Sequence, residues 1–95
     1  MARKPIHPGT ILGDELEFLG MSFAALARAI HVPTNRLSQI VAGKRAISAD
    51  TALRLGKWLG TGPELWINLQ KTYEIDLARL TTGKDIDAIV PRRAA

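Results

Sequence analysis

A short polar stretch of this 95-residue chain carries the side chains best suited to reading a nucleic acid. Asn and Gln amides can pair bidentately with adenine, Arg can pair with guanine, and a Thr methyl group can contact the methyl group of thymine. A merely solvated helix more often carries Glu and Lys, and this stretch has no acidic residue. We therefore predict contacts to DNA bases, with an ordinary solvated polar face as the alternative. The candidate base-contacting residues are Thr34, Asn35, Arg36, Ser38 and Gln39.

Basic residues are concentrated around this stretch. Residues 21–60 carry six Lys and Arg against a single acid, Asp50, whereas residues 1–20 and 61–90 are each net acidic. A basic centre favours polyanion binding, because Lys and Arg displace the counterions of a phosphate backbone; a solvated basic surface is the alternative. Phosphate contacts fix the register of a protein on DNA without reading sequence. The predicted phosphate-contacting residues are Ser22, Lys44 and Arg45.

The sequence has no constellation of side chains for catalysis or metal binding. It has two histidines, His7 and His31, far apart in the sequence, and no cysteine. A catalytic site needs a nucleophile or an acid–base pair, and a structural zinc site needs Cys or His ligands at short spacing. We interpret His7 as a capping or surface residue and His31 as a turn residue. The sequence therefore predicts no enzyme activity, no metal and no cofactor.

Two short helices joined by a tight turn position the polar stretch. Residues 23–30 and 33–42 each place apolar side chains at the three- and four-residue spacing of one helix face. Ser22 is a favourable N-cap for the first helix, and His31 tolerates the left-handed backbone that such a turn adopts. This pattern is typical of a helix-turn-helix, in which the second helix lies in the major groove of DNA.

A helix on each side of this pair completes the predicted core. The first begins at Pro8, after a flexible arm over residues 1–7, and ends at Gly20. The fourth follows the N-cap Ser48 and ends at Gly60. The buried stripe predicted for the first helix comprises Ile11, Leu12, Leu16 and Leu19.

A fifth helix is predicted over residues 63–80, behind a capping box formed by Thr61 and Glu64. It is apolar on more than one side, and surplus apolar surface on a terminal helix indicates that a second chain packs there. Trp58 and Trp66 are predicted to join the fourth and fifth helices in the core. The predicted dimer interface comprises Leu65, Trp66, Leu69, Tyr73, Leu77, Ile86 and Ile89.

A C-terminal extension over residues 81–95 is predicted beyond the domain of residues 8–80. Thr81-Thr82-Gly83 is expected to break the fifth helix. Residues 85–90 are rich in branched side chains that alternate at first, which favours a short strand able to pair with a partner chain. Residues 91–95 are predicted to be disordered.

Nothing in the sequence indicates export or a membrane partner. The N-terminal residues lack the apolar segment of a signal peptide, and no apolar run approaches ~18 residues, the length that a membrane-spanning helix needs. The absence of cysteine fits a reducing compartment. We expect a soluble cytoplasmic protein.

The motifs of residues 5–75 resemble those of a known family. Leu26-Ala27, followed by Leu37-Ser38-Gln39-Ile40 and Gly43-Lys44, is similar to the phage-repressor-like, or XRE, DNA-binding domain. A wider set is similar to the HigA-type antitoxins, also called the VapI family. That set comprises His7-Pro8-Gly9, Asn35-Arg36-Leu37, Gly43-Lys44-Arg45-Ala46-Ile47, Asp50-Thr51-Ala52-Leu53-Arg54-Leu55 and Pro63-Glu64-Leu65-Trp66-Ile67-Asn68-Leu69-Gln70.

The resemblance implies an all-α, five-helix phage-repressor-like bundle that forms a homodimer through its C-terminal part. It implies binding to a palindromic operator, a stretch of double-stranded DNA in the promoter of its own operon. It also implies neutralisation of a HigB-type toxin, an mRNA-cleaving ribonuclease. By position, Thr34, Asn35 and Gln39 match base-reading places of the phage repressors, and Lys44 and Arg45 match backbone-contacting places.

Two positions depart from the family pattern. Phe23 stands where the first motif helix often begins with a polar residue, and Ala42 stands where an Asn often precedes the Gly. Both departures remove a polar contact and predict weaker affinity for DNA with an unchanged function. Two alternatives stay open: a phage-type or metabolic transcriptional repressor with no toxin partner, and a protein-interaction module that has lost DNA binding.

Overall fold

Five helices make up the fold, as a computed structural model of the chain describes it over residues 3–93. The helices are α1 (Pro8–Leu19), α2 (Phe23–Ile30), α3 (Thr34–Val41), α4 (Ala49–Leu59) and α5 (Glu64–Asp87). The predicted all-α, five-helix fold class is confirmed, and residues 3–93 contain no strand. Residues 1–2 of the predicted arm and residues 94–95 of the predicted tail lie outside the described residues.

Local signals in the sequence fix most helix ends. Gly20 and Gly60 adopt the left-handed backbone after α1 and α4, with φ of 65° and 77°. The Ser22 and Ser48 hydroxyls each accept a backbone N–H three residues further on, at 3.1 and 3.3 Å. These four ends were predicted, because a capping residue acts on its own turn whatever the rest of the chain does.

The core lies where α3 packs against α1 and α2, and α4 packs against α2 and α5. The buried stripe of α1 is narrower than predicted, since Ile11 and Leu19 are 36% and 41% exposed. Ile11 lies about 100° around the helix from Leu12, and Leu19 is at the open end of α1. The buried apolar residues are Leu12, Leu16, Leu26, Ala27, Ile30, Leu37, Ile40, Ile47, Ala52, Leu55 and Trp66.

The two tryptophans have different surroundings. Trp66 is buried, as predicted for the core, but Trp58 is 40% exposed and its predicted core position was wrong. Ala52, Leu55 and Gly56 occupy the inward face of α4. Trp58 lies two positions beyond Gly56, or about 200° around the helix, so it is at the surface.

The start of α5 is not the predicted capping box. The N-cap is Pro63, with no side-chain hydrogen bond, and the Thr61 hydroxyl instead donates to the Gly62 carbonyl at 3.2 Å. The turn from α4 to α5 passes directly over Gly56, where a Cβ atom would collide with the Gly62 backbone. Close backbone packing, rather than a cap, therefore sets where α5 begins.

The end of α5 lies well beyond the predicted break. The Thr81 and Thr82 hydroxyls donate to the carbonyls of Leu77 and Ala78, at 3.3 and 2.9 Å, so the threonines are accommodated within the helix. Residues 85–87 are helical, and the predicted strand was wrong. None of the helix residues after Asp76 is buried. No helix within residues 3–93 is both long and apolar enough to cross a membrane.

Candidate nucleic-acid interface

The turn between α2 and α3 sets the direction of α3. His31 adopts the left-handed backbone, with φ of 62° and ψ of 49°, and the Val32 N–H donates to the Ala27 carbonyl at 3.0 Å. His is one of the side chains that tolerate this region, which Ala or a branched residue would strain. Leu37 and Ile40 are fully buried and anchor α3 to the bundle. The opposite face of α3 is therefore held towards solvent.

The candidate base-contacting residues fall into two groups. Thr34, Asn35 and Gln39 are exposed. Arg36 and Ser38 are half-buried, and the Ser38 hydroxyl donates to the Asn35 carbonyl at 3.1 Å. Their contacts to bases stay predictions, and the side chains of the first group are the ones exposed on the surface of α3.

A network around one carboxylate explains why Arg36 turns inward. Arg36 Nη1 and Arg54 Nε lie 2.9 and 3.0 Å from the same atom, Asp50 Oδ2. Arg54 Nη1 also donates to the carbonyls of Ile30 and His31, at 3.1 and 3.2 Å. The Arg54 and Arg36 guanidinium groups hold the pKa of the Asp50 carboxyl below its usual value. Asp50 and Arg54 thus join α2, α3 and α4 at the turn.

This network was not predicted, although part of its signal is present in the sequence. Asp50 and Arg54 are four residues apart on α4, a spacing at which opposite charges meet on a helix. The link from Asp50 to Arg36 crosses to another helix and has no sequence signature. Arg36 would have to leave Asp50 before it contacted a base.

The candidate phosphate-contacting residues lie at the start of α2 and in the loop after α3. Ser22 caps α2, and Lys44 and Arg45 are exposed in the loop that follows α3. Arg45 Nη1 donates to Gln39 Oε1 at 3.2 Å, which orients the Gln39 amide. One hydrogen bond therefore links a candidate phosphate contact to a candidate base contact. The phosphate contacts themselves stay predictions.

Comparisons with known proteins agree with this geometry. Residues 17–66 match the family model described as helix-turn-helix. An addiction module antidote protein of the HigA family from Coxiella burnetii has a solved structure with a TM-score of 0.91 and 50% sequence identity, covering 95% of this chain and 100% of that chain. Pseudomonas aeruginosa antitoxin HigA, solved with the higBA promoter, has a TM-score of 0.87 and 44% identity, covering 95% and 100%. Virulence-associated protein I of Dichelobacter nodosus is 42% identical over 87 residues, which span 90% of this chain and 80% of that protein.

This chain belongs to the HigA family of helix-turn-helix antitoxins. The resemblance inferred from the motifs is confirmed.

In this HigA-family chain, α5 presents part of the predicted dimer interface to solvent. Trp66 is 2% exposed inside the core, so its assignment to the interface was wrong. Leu69 and Tyr73 are half-buried, and Tyr73 packs edge-to-face against His7 with ring centroids 4.9 Å apart. The residues of the predicted interface that are exposed are Leu65, Leu77, Ile86 and Ile89.

The described part of the N-terminal arm lies against α5. Arg3 Nη2 is 3.3 Å from Asp76 Oδ2, and Arg79 Nη1 is 3.7 Å from Asp76 Oδ1. Asp76 is buried, so two exposed arginines neutralise it at the surface of α5. Within residues 3–93 of this HigA-family chain, no group of three or more His, Asp and Glu side chains could hold a metal ion.

Proposed function

We propose that this chain is a sequence-specific DNA-binding antitoxin. It binds double-stranded operator DNA as a homodimer, represses its own operon and neutralises a HigB-type toxin, an mRNA-cleaving ribonuclease. The observation that carries the DNA-binding part is the solvent-exposed face of α3, with Thr34, Asn35 and Gln39 beside the exposed cations Lys44 and Arg45. The Pseudomonas aeruginosa relative solved with its promoter supports the same role.

Base reading is proposed for the exposed side chains of α3. Gln39 and Asn35 have amides that pair with adenine, and Thr34 has a methyl group for thymine. The hydrogen bond from Arg45 holds the Gln39 amide in one orientation before DNA binds, which lowers the entropy cost of a base contact. Ser22, Lys44 and Arg45 are proposed to contact phosphates on either side.

Substitution of Gln39 tests the base-reading role. Gln39→Ala is expected to weaken binding to the promoter DNA of its own operon by ~1–3 kcal/mol and to leave binding to random DNA nearly unchanged. The measurement is a titration of both DNAs at physiological salt. Asn68→Ala, which removes an exposed amide from α5, is the matched control. An equal loss of affinity for the promoter DNA and for random DNA would mean that Gln39 does not read a base.

Substitution of Lys44 tests the phosphate role. Lys44→Ala is expected to weaken binding to every DNA sequence and to reduce the slope of log affinity against log salt by about one unit. Lys71→Ala removes the same charge from α5 and controls for net charge. If the salt slope falls equally in Lys44→Ala and Lys71→Ala, Lys44 acts only through long-range attraction and does not contact a phosphate.

Dimerisation is proposed through the exposed apolar residues of α5. A single short recognition helix reads only a few base pairs, so two copies on half-sites about one helical turn apart are needed for specificity. Leu77→Asp is expected to weaken the dimer at least tenfold, about 1.4 kcal/mol, by sedimentation or light scattering. Leu53→Asp introduces the same charge on the exposed face of α4. If Leu53→Asp dissociates the dimer and Leu77→Asp does not, the interface lies on α4 and not on α5.

Toxin neutralisation is proposed on family membership, and it separates the antitoxin from a repressor without a toxin partner. Co-expression with the small open reading frame beside its gene is expected to rescue growth from the toxicity of that frame, with both products copurifying. An adjacent frame that is harmless alone, or that is not bound, would favour the phage-type or metabolic repressor.

A further inference from the structure

Arg36 is the one Lys or Arg residue of α3, and its guanidinium lies against α4. The side chain of Arg36 is 24% exposed, and its Nη1 is 2.9 Å from Asp50 Oδ2 at the start of α4. Thr34, Asn35 and Gln39, in contrast, are exposed. The exposed face of the proposed recognition helix therefore carries amides and a hydroxyl, while its cation is paired with an acid of the same chain.

The inward position of Arg36 depends on Asp50. Arg36 Nε is buried and has no hydrogen-bond partner within residues 3–93. A buried donor without an acceptor disfavours a conformation, because the donor has lost its water without gaining a partner. The hydrogen bond that the structure gives this side chain is the one from Nη1 to Asp50 Oδ2. Asp50 therefore stabilises a position of Arg36 that burial of Nε alone would disfavour.

The two arginines that share Asp50 do not depend on it equally. Arg54 Nη1 also donates to the carbonyls of Ile30 and His31, at 3.1 and 3.2 Å. These carbonyls are at the C-terminal end of α2, where the helix dipole favours a cation. Without Asp50, Arg54 keeps both of these acceptors, whereas Arg36 loses its hydrogen bond. Loss of the Asp50 carboxylate is therefore expected to act mainly on Arg36.

A free guanidinium on α3 would change how the protein binds DNA. Phosphates lie at every position of a duplex, whereas Arg pairs with guanine only where the sequence supplies one. On random DNA no base contact fixes the register, so the protein can shift along the duplex until a freed Arg36 meets a phosphate. That contact is independent of sequence, and it narrows the difference in affinity between the operator and other DNA.

We infer that Asp50 is a specificity-determining residue, which holds the Arg36 guanidinium against α4 and so keeps the cation of α3 away from DNA phosphates. The inference rests on the proposed function, since it takes α3 to be the recognition helix. It goes beyond that function because it concerns a side chain that is kept off the DNA. The exposed amides then discriminate between sequences without a competing contact that every sequence offers.

Four variants separate the hold on Arg36 from other effects of a lost acid. Asp50→Ala removes the acceptor, and the Thr51 N–H keeps the Ser48 hydroxyl that caps α4. Arg36→Ala removes the held cation, and the double variant tests whether Asp50 acts through Arg36. Asp14→Ala is the matched control, since it removes the same charge from the exposed surface of α1.

The first measurement is a titration of random DNA and promoter DNA over a range of salt concentrations. In Asp50→Ala, affinity for random DNA is expected to rise about fivefold and the salt slope to steepen by about 0.9, the equivalent of one phosphate contact. Affinity for the promoter DNA is expected to change by less than about twofold, because base contacts fix the register there. The slope is expected to stay unchanged in Asp14→Ala, and in the double variant relative to Arg36→Ala.

The second measurement, without DNA, tests whether Asp50 holds Arg36. The buried Arg36 Nε–H exchanges with water when the side chain opens, and NMR is expected to show this exchange about fivefold faster in Asp50→Ala. The Thr51 amide is expected to exchange as in the parent chain, which shows that α4 still begins at its cap.

Unchanged affinity for random DNA in Asp50→Ala, or unchanged exchange of the Arg36 Nε–H, would overturn the inference. An equal gain in Asp14→Ala, or in the double variant relative to Arg36→Ala, would also overturn it, because loss of a negative charge would then be sufficient. Weaker binding to both DNAs with faster exchange at Thr51 would mean that Asp50 only stabilises α4. A parent chain that does not bind the promoter DNA contradicts the proposed function instead, and the Nε–H exchange still decides whether Asp50 holds Arg36.

Discussion

The helix-turn-helix pair and the C-terminal end of α5 use their apolar side chains in opposite ways. In α2, Leu26, Ala27 and Ile30 are all buried, and the side chains left outside are small or polar apart from Phe23. After Asp76, α5 buries nothing, yet it carries Leu77, Leu80 and Ile86. The apolar face of α2 is therefore covered by the rest of the chain, whereas the apolar side chains at the end of α5 are not.

The contrast indicates two kinds of binding surface. The exposed face of α3 is polar and is fixed from behind by buried Leu37 and Ile40, so it suits a polar ligand that reads fixed positions. The end of α5 exposes Leu77, Leu80 and Ile86, which the bundle does not cover, so these side chains are buried only when another surface packs against them. We expect the exposed face of α3 to have the same structure with and without DNA. We expect the end of α5 to become buried only when a second chain binds.

The largest expected effect is a difference in the free energy of unfolding between a substitution behind the exposed face of α3 and one at the end of α5. Leu37→Ala is expected to lower the free energy of unfolding by ~2–5 kcal/mol, because it removes a fully buried side chain and leaves a cavity. Leu80→Ala, at 58% exposure, is expected to change it by less than ~1 kcal/mol in the monomer. Denaturant unfolding at a low protein concentration measures both. A large loss in Leu80→Ala would mean that the α5 surface is covered even in the isolated chain.

Local signals allowed much of the helix-turn-helix region to be predicted from the sequence. Gly20, Ser22 and His31 act on their own turns, and the spacing of Leu37 and Ile40 identifies the buried face of α3 directly. The orientation of the candidate site follows from those few residues. Its internal contacts do not, because the pairs Arg36–Asp50 and Arg45–Gln39 depend on how separate elements are placed.

The same signals gave the wrong cap at the start of α5 and placed its end too early. Thr61 and Glu64 have capping-box spacing, but packing of the α4–α5 turn against Gly56 determines where α5 begins. Thr82 can satisfy its hydroxyl on a helical carbonyl, so a Thr-Thr-Gly sequence does not have to end a helix. Helix-breaking tendencies are weak compared with the continuation of an existing helix.

A pair of cap substitutions would sharpen this difference between the helix starts. Ser48→Ala is expected to destabilise the fold by ~0.5–2 kcal/mol, because the Thr51 N–H loses its acceptor. Thr61→Ala is expected to have almost no effect, because its hydroxyl does not cap α5. Thermal unfolding compares the two. A similar loss of stability in both variants would mean that Thr61 does cap α5.

A glycine within the exposed part of α5 gives a smaller effect of opposite sign. Gly83→Ala is expected to stabilise the end of α5 by ~0.5–1 kcal/mol, since Ala is the better helix former and no neighbouring atom lies within 4 Å of its Cβ position. Helicity by circular dichroism and amide exchange at residues 84–87 measure the change. Loss of helicity would mean that Gly83 ends the helix, as the sequence first indicated.

The smallest expected effect is a pH dependence at the junction between the start of α1 and α5, where the His7 ring packs against Tyr73. Burial lowers the pKa of His7 below its ordinary value of 6.5, so the unfolded chain binds a proton more readily than the folded chain. The stabilisation is then complete above pH 6.5 and is lost as the pH falls through 6.5 towards the lower pKa of the folded chain.

The pKa values of Asp50 and Glu74 are also lowered, but from 3.8 and 4.5, so their contributions are lost only in more acidic solution. Chemical denaturation between pH 8 and pH 5 is expected to show a decline in the parent chain that is reduced in His7→Asn. An identical decline in both would assign it to groups away from this junction.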